Sequence, residues 1–403
     1  IIMEKKLDKV YEDISEENAI LTTVAEENLA GVRTVKAFAR EKFEIEKFLS
    51  HNKRYYELNM QQSKTLVRYY PFFQFVGTML PVVCTILGGF SVLKNEMDIG
   101  SLVAYVEYSR NCTWPMQMLG WLANDISSAF ASKKKIDKIV NQHANLTEPD
   151  EPVILEKIKG EITFENVSFS VEDKDILQDI SFAVPQGKTL GIMGATGSGK
   201  STIVNLMQRF FDPVKGKVYL DGVDIKDLSF RQVRGSNAVV MQDVFLFSDT
   251  IAENIKMGKR ATMPLEDIQK ASAFAQARDF IEDLENEYDT VIGERGVGLS
   301  GGQKQRISIA RAVSKHAPIL VMDDSTSALD METEREIQKE LEQLEETTKI
   351  IIAHRISAVR HADEIIYLEN GRIAERGTHE ELLEKKGLYY DTYVVQYGVP
   401  VTV

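Results

Sequence analysis

Residues 194–202 read GATGSGKST and fit the phosphate-loop pattern G-x-x-x-x-G-K-[ST]. Glycines at 194, 197 and 199 let the backbone pass close to phosphate oxygens with its N–H groups turned inward. Gly194, Ala195, Thr196, Gly197, Ser198, Gly199, Lys200, Ser201 and Thr202 are therefore the candidate phosphate-binding residues. Lys200 is predicted to reach the β- and γ-phosphates, and the Ser201 hydroxyl to bind Mg²⁺. The plainer reading, a glycine-rich turn without ligand, loses force in this context. The apolar strand KTLGIM precedes the stretch, and the helix STIVNLMQRF follows it with its positive dipole end toward the loop.

A second stretch, ILVMDDSTSALD at 319–330, runs four apolar residues into two carboxylates. An apolar run ending in Asp reads as a buried strand that delivers a metal contact, so Asp323 is predicted to be the second contact to Mg²⁺, through water. Asp324 stands where a carboxylate could hold and deprotonate an attacking water. Proton transfer needs heavy atoms at about 2.6–3.2 Å, and a misplacement near 1 Å can cost about 10²-fold. Asp is one methylene shorter than Glu. In a site built for Glu, Asp324 predicts slow hydrolysis rather than lost binding.

These residues need a scaffold, and its elements are readable. EITFENVSF, LQDISFAV, KTLGIM, NAVVMQ, PILVMD, TKIIIAH and DEIIYLE read as strands separated by helical segments, an α/β pattern with a largely parallel sheet. Residues 141–158 are polar, carry Pro149 and Pro152, and read as a linker. Upstream, residues 4–62 are charged and helix-like, with Ile14, Leu21, Val24, Ala25, Leu29 and Val32 spaced as a helical stripe. Residues 71–93 carry no charge, and at about 1.5 Å per residue they can cross a hydrocarbon core of about 30 Å. Pro81 and Gly88-Gly89 suit a membrane helix better than a soluble one. Residues 101–124 read as a second span with Glu107 and Arg110 inside it, turned to a protein interior or aqueous cavity, as structural pairs or as pathway residues. Lys53, Arg54, Lys64 and Arg68 on one side, and ASKKKIDKIV at 131–140 on the other, put both outer flanks in the cytoplasm and residues 94–100 outside.

The 403 residues suggest two or three units. With 61 acidic against 48 basic side chains and a net charge of −13, general nucleic-acid binding is excluded as a function class. Cys84 and Cys112 match no metal or disulfide spacing and read as small core residues. The chain starts within helical sequence, without Met, and is expected to be a fragment.

LSGGQKQR at 299–306, placed after the phosphate loop and ahead of PILVMDDSTSALD, carries a resemblance. Residues 159–390 resemble the nucleotide-binding domain of ATP-binding-cassette (ABC) transporters, which implies ATP and Mg²⁺ as ligands. Gln242, after Val239-Val240-Met241, resembles the Q-loop residue that touches Mg²⁺ and the attacking water. Ser327, Ala328, Leu329 and Asp330 look like the D-loop. His354 in IIAHR looks like the switch histidine on the γ-phosphate; alone it would read as a core histidine. GERG at 293–296 resembles the exporter-specific loop that meets the membrane domain. In this family two such domains meet head to tail. Leu299, Ser300, Gly301, Gly302 and Gln303 would then act on the partner's ATP: a hydroxyl, glycine N–H groups and a helix N-terminus make another anion cradle.

The first 140 residues resemble exporter-type half-transporters, which implies an all-α transmembrane segment of two long spanning helices with cytoplasmic extensions. It would be followed by an α/β P-loop ABC ATPase domain with a helical subdomain. Residues 1–140 are expected to hold the end of a fourth span, a second coupling helix within ENLAGVRTVKAFARE (27–41), and a fifth and sixth span, 45–94 and 99–140. The linker follows at 141–158 and the nucleotide-binding domain at 159–403. The location implied is the cell membrane, multi-pass, with that domain cytoplasmic.

Two departures fall on one ATP site. The family usually has Glu where Asp324 stands, and an adenine-stacking aromatic where Val171 stands. Strand alternation puts Phe169 on the same face but farther along, as a weak substitute. A weakened own site beside an intact LSGGQ predicts a heterodimer whose other half carries Glu. The chain then contributes to ATP-driven export of an amphipathic drug, lipid or peptide, among membrane lipids. The alternatives are a homodimeric lipid flippase, a soluble ABC ATPase and a regulatory ABC channel subunit. The uncharged run and the acidic balance disfavour the soluble ATPase, and no long insertion between linker and cassette marks a channel subunit.

Overall fold

The computed structural model describes residues 2–142, 146–172, 174–258, 263–293, 296 and 298–398. The chain forms two units, residues 1–143 and 144–403.

The first unit is helical: α1 (Ile2–Ala30), α2 (Val32–Ala37), α3 (Glu41–Leu93) and α4 (Ile99–Val140). α3 packs on α1 and α4. His51 Nδ1 lies 2.7 Å from Glu17 Oε1, and Asn28 donates to Glu44 at 3.0 Å. The predicted stripe on α1 holds through Ile14, Leu21, Val24 and Ala25, with Val24 buried; Leu29 and Val32 are exposed instead. They flank Gly31, where α1 ends and the chain turns into α2, so the helical period no longer carries across. Asp98 caps α4, accepting from the Ser101 N–H at 3.1 Å. Gly88 lets α4 come close, because a Cβ there would sit 2.4 Å from Leu102 Cδ1. Glu107 and Arg110 do not face a protein interior within this unit. They are exposed and pair with each other at 3.9 Å, one helical turn apart. Cys84 is half-buried and Cys112 exposed, so neither is the core residue the sequence suggested. The uncharged run 71–93 includes positions 73, 76 and 77, whose side chains lie outside the described ones. Among the described residues, no helix is long and apolar enough to cross a membrane.

The second unit is built on two sheets. One is antiparallel, in the order β2 (Lys174–Val184), β1 (Ile162–Val171), β4 (Lys215–Leu220), β5 (Val223–Asp224). The other runs β10 (Arg372–Gly377), β9 (Glu364–Glu369), β3 (Thr189–Gly194), β8 (Thr348–Ile352), β7 (Ile319–Asp323), β6 (Asn237–Val240), and is parallel except for β10. β4, β5 and β10 escape the sequence reading. In KGKVYL, three of six positions are lysine or glycine, and Gly216 (φ 79°) packs against the carbonyls of Glu165 and Asn166.

Between the sheets lies α5 (Lys200–Met207), its Ile203, Leu206 and Met207 buried with Phe164, Ile180 and Leu220. β7 is apolar from Ile319 to Met322 because it is covered on both faces. Ile319 and Val321 join that layer, while Leu320 and Met322 face a second core. Helices α7 (Ile251–Ile255), α8 (Leu265–Phe274), α9 (Arg278–Glu282), α10 (Gly301–Ser314) and α11 (Met331–Glu342) contribute to this second core, and α7 to α10 pack on one another as the helical subdomain. α12 (Ile356–Val359), α13 (His379–Lys385) and α14 (Leu388–Tyr397) close a third, around Met193, Ile365 and Tyr389.

From residue 146 on, the linker lies along the second unit rather than apart from it. Val153 bridges to Leu228, and Arg209, buried at the end of α5, donates to the Thr147 carbonyl at 2.9 Å. The same guanidinium donates to the carbonyls of Lys226 and Leu228 and stacks on Phe230. Arg234, on α6 (Phe230–Gly235), stacks on the same ring.

Candidate functional site

Parallel strands present their carboxyl ends along one edge, the usual ligand crevice of such sheets. β3 ends at Gly194, β7 at Asp323, β8 shortly before His354, and β6 shortly before Gln242. The topology thus gathers on one edge four segments spread over 161 positions of the chain.

The loop after β3 is bent as the glycine pattern requires. Gly194, Gly197 and Gly199 have φ of 143°, 82° and 102°. A Cβ at 194 would lie 2.2 Å from the Leu368 carbonyl oxygen, and one at 199 would lie 2.5 Å from Leu177 Cδ2. Gly199 caps α5 without a side-chain acceptor, which leaves the first N–H groups of the helix turned to the loop. Lys200 Nζ donates to the carbonyls of Gly194 and Ala195 at 2.8 and 2.9 Å. Burial pushes its pKa down, opposed by the charges of Asp323 and Asp324. Among the described residues, Ser198 Oγ is buried without a hydrogen-bond partner. A buried lysine, uncapped N–H groups and an orphaned hydroxyl fit an oxyanion ligand such as a nucleotide phosphate.

Burial and the neighbouring Asp324 charge raise the Asp323 pKa, while the Ser201 hydroxyl, Lys200 and His354 pull it down. Ser201, Asp323 and Gln242 line one cavity of about 240 Å³, together with Asn205 and Met241. The three residues predicted to hold a metal are therefore adjacent, and an anionic oxygen, a hydroxyl and an amide suit Mg²⁺. A second cavity of similar size, lined by Phe274, Ala312, Val313 and Leu344, lies under the helical subdomain and lacks those residues.

Asp324 has φ 46°, a left-handed conformation that Asp tolerates better than most residues. Its N–H donates to Ile352 O at 2.8 Å, and its carbonyl accepts from Ser327 Oγ at 3.0 Å and Gln305 Nε2 at 3.3 Å. The backbone is pinned at both ends, so side-chain length decides where the carboxylate reaches. His354 is exposed, and so is not the core histidine of the plainer reading. Its carbonyl accepts from Gln396 Nε2 at 2.6 Å, and Gln396 Oε1 accepts from the Ile356 N–H at 3.0 Å.

The signature stands apart. Ser300 caps α10 in a capping box with Gln303: the Gln303 N–H donates to Ser300 Oγ at 3.3 Å, and the Ser300 N–H to Gln303 Oε1 at 2.8 Å. Among the described residues, no hydrogen bond joins Leu299, Ser300, Gly301, Gly302 or Gln303 to the phosphate loop. They lie instead beside the D-loop, where a Cβ on Gly302 would be 3.2 Å from Ala328 O. In that loop Ser327 and Ala328 are exposed, Leu329 is buried, and Asp330 caps α11 through the Thr333 N–H at 2.9 Å. Sequence reasoning missed Gln305, whose Oε1 accepts from Ala328 N at 3.1 Å while its Nε2 holds Asp324 O. Its place inside LSGGQKQR was the available signal. In the GERG segment, residues 294 and 295 lie outside the described residues.

Val171 ends β1 and is exposed, beside the hairpin whose Ile176 and Leu177 back the phosphate loop. Phe169 is no substitute for a stacking ring. The β1–β2 register shifts between Phe169 and Ser170, which breaks the alternation, and Phe169 is buried against Phe211, ring centroids 5.4 Å apart. Val171→Tyr is expected to tighten adenine-nucleotide binding about 2–12-fold, the equivalent of about 0.5–1.5 kcal/mol of stacking. Titration with a fluorescent ATP analogue checks this; identical midpoints would remove residue 171 from the adenine site.

Sequence comparisons agree with this geometry. The profile described as ABC transporter matches residues 177–327, and that described as ABC transporter transmembrane region matches residues 1–116. The uncharacterized ABC transporter ATP-binding protein YknU of Bacillus subtilis (strain 168) is 41% identical over 397 residues, 98% of this chain and 68% of YknU. An ATP-dependent lipid A-core flippase of Syntrophus aciditrophicus (strain SB) is 37% identical over 94% of this chain and 63% of the flippase. Among solved structures, a bacterial Atm1-family ABC exporter with ATP bound superposes with a TM-score of 0.90 at 31% identity, covering 98% of this chain and 70% of the exporter. The chain thus spans about two thirds of the length of these relatives.

Proposed function

The chain belongs to the ABC transporter family, with an exporter-type transmembrane region fused to an ATPase domain, and from that premise we propose that it is the weakened-site half of a heterodimeric exporter. Its substrate would be amphipathic, a drug, lipid or peptide, and its place the cell membrane, with the nucleotide-binding domain in the cytoplasm. Residues 1–140 would contribute the end of a fourth span, a coupling helix and two further spans; α2, which buries none of its residues, would be that coupling helix.

The observation that carries this reading is the separation of two anion cradles on one domain. Lys200, Ser201 and Asp323 share one edge of the sheet, and the capped signature helix stands away from it. A second domain, placed head to tail, would bring its own signature to this phosphate loop. In the mechanism proposed, the loop N–H groups and Lys200 hold the β- and γ-phosphates. Mg²⁺, held by Ser201, Gln242 and Asp323, would supply charge that offsets the phosphates. Gln242 and His354 orient the attacking water and the γ-phosphate, and Asp324 accepts the water's proton. The short reach of Asp324 makes that last transfer slow. The signature residues Leu299, Ser300, Gly301, Gly302 and Gln303, with the D-loop residues Ser327, Ala328, Leu329 and Asp330, complete the partner's site.

Lys200→Ala should weaken ATP binding at the chain's own site about 10–100-fold, the loss of a charge-assisted contact worth about 1.5–3 kcal/mol. Turnover of the assembled heterodimer in detergent or vesicles should largely survive. Loss of all turnover would count against the weakened-site reading.

A homodimeric lipid flippase is the second reading; relatives named ATP-dependent lipid A-core flippase support its lipid substrate, and the homodimer is our own inference. It predicts that the chain purified alone hydrolyses ATP slowly at both sites. The heterodimer reading predicts fast turnover only when a partner chain carrying Glu at the position of Asp324 is present.

A further inference from the structure

Glu334 is a buried carboxylate to which none of the roles above is assigned. It projects from α11 with 4% of its surface exposed. Thr326 Oγ1 donates to its Oε1 at 3.2 Å, and Ser357 Oγ to the same oxygen at 3.4 Å. Arg355 Nη1 reaches its Oε2 at 3.5 Å. These partners come from two segments of the candidate site. Thr326 lies two residues after Asp324, at the entrance to the D-loop. Arg355 and Ser357 lie one and three residues after His354. Arg355 also points Nη2 at the Ser327 carbonyl, 3.5 Å away, and Gln338, one turn along α11, donates to the Ser357 carbonyl at 2.9 Å.

A buried carboxylate is retained at a cost unless its lone pairs are used. Here they are used to join the segment that carries His354 to the segment that follows Asp324. We propose that Glu334 is a positioning residue that sets these two segments against each other, so that a displacement of the switch segment at the chain's own ATP is carried to the D-loop. The D-loop half of this statement rests on the head-to-tail reading above; the positioning of 354–357 does not. Glu334 touches no reacting atom in this scheme and acts through Thr326, Arg355 and Ser357.

The first test is hydrogen–deuterium exchange on the purified full-length protein without nucleotide. Glu334→Ala should raise exchange in 324–330 and in 353–359 together. Glu334→Gln keeps an acceptor for both hydroxyls but sets an amide NH2 against Arg355, and should raise exchange in both segments less than Glu334→Ala does. Faster exchange in one segment only, or in neither, overturns the proposal. The second test is ATP turnover with His354→Ala as background. Glu334→Ala should lower kcat about 10-fold, as expected for a sub-ångström misplacement, with KM within about threefold. It should have little further effect once His354 is Ala, because both act through one group. Multiplying effects in the double variant, or equal losses in Glu334→Gln and Glu334→Ala, would contradict the positioning role. Should Glu334→Ala fail to fold, Ser357→Ala and Thr326→Val, each removing one donor, carry the same expectations at smaller amplitude. A failed transporter reading would appear differently, as absence of turnover in the parent protein, and the exchange test would still decide the role of Glu334.

Discussion

Gly301→Asp is expected to stop ATP turnover by the assembled transporter while leaving the chain folded. Gly301 is the first residue of α10. A Cβ there meets Ala328 Cβ at 3.8 Å, ordinary van der Waals distance, so the added side chain meets no clash in this chain. A carboxylate in the first turn is also favourable to the helix dipole by about 0.3–1 kcal/mol. Folding therefore has no reason to fail. The damage is to function, since in the head-to-tail arrangement proposed above the carboxylate would occupy the place of the partner's anionic γ-phosphate. Like charges brought together at an interface cost several kcal/mol, which corresponds to about 10²-fold or more in rate. Gly301→Ala separates the two effects, keeping the backbone cradle without the charge, and should retain most turnover. The diagnostic comparison is with Lys200→Ala in the same heterodimer. Equal losses from Lys200→Ala and Gly301→Asp would mean the two sites are equivalent, and the asymmetric assignment would be wrong.

Asp324→Glu should act in the opposite direction and speed hydrolysis at the chain's own site by about 10–10²-fold, read in single-turnover experiments with Mg²⁺-ATP. The bonds from Asp324 N to Ile352 O and from Ser327 Oγ to Asp324 O hold the backbone, so the extra methylene is spent on reach alone. A small loss of stability should accompany the gain. Asp324 sits at φ 46°, and a longer side chain in the left-handed region costs about 1 kcal/mol. A folded variant with no faster hydrolysis would place the defect elsewhere, in the partner's signature or in another element of the site.

How much of this was legible in the sequence depends on distance along the chain. The phosphate loop reads directly because its glycines and Lys200 lie within seven positions, and local backbone geometry dictates their types. The paired carboxylates read well because an apolar run buried on both faces has a clear end. Phe169 was misjudged because a β-bulge leaves no mark in composition, and period-2 counting fails across one. β4 and β10 were passed over because their lysines, arginines and glycines resemble loops until a neighbouring strand supplies the hydrogen bonds. Gln305, Glu334 and Gln396 were not assigned because each acts on backbone or hydroxyls of segments 19 or more residues away, or across a turn that only folding brings near. On a helix such residues look like any solvated polar face.

The placement of Arg209 has a practical corollary for anyone exchanging cassettes between relatives. Cutting at 158/159, where composition changes, would transplant the ATPase without Thr147 and Glu148. Arg209, 3% exposed, would lose the acceptor that Thr147 provides, and the Phe230 N–H would lose the Glu148 carboxylate. A chimera joined ahead of residue 146 keeps donor and acceptor on the same graft. The natural seam of the module lies within the apparent linker, at the division between residues 1–143 and 144–403, and the later part of the linker travels with the ATPase as its first segment.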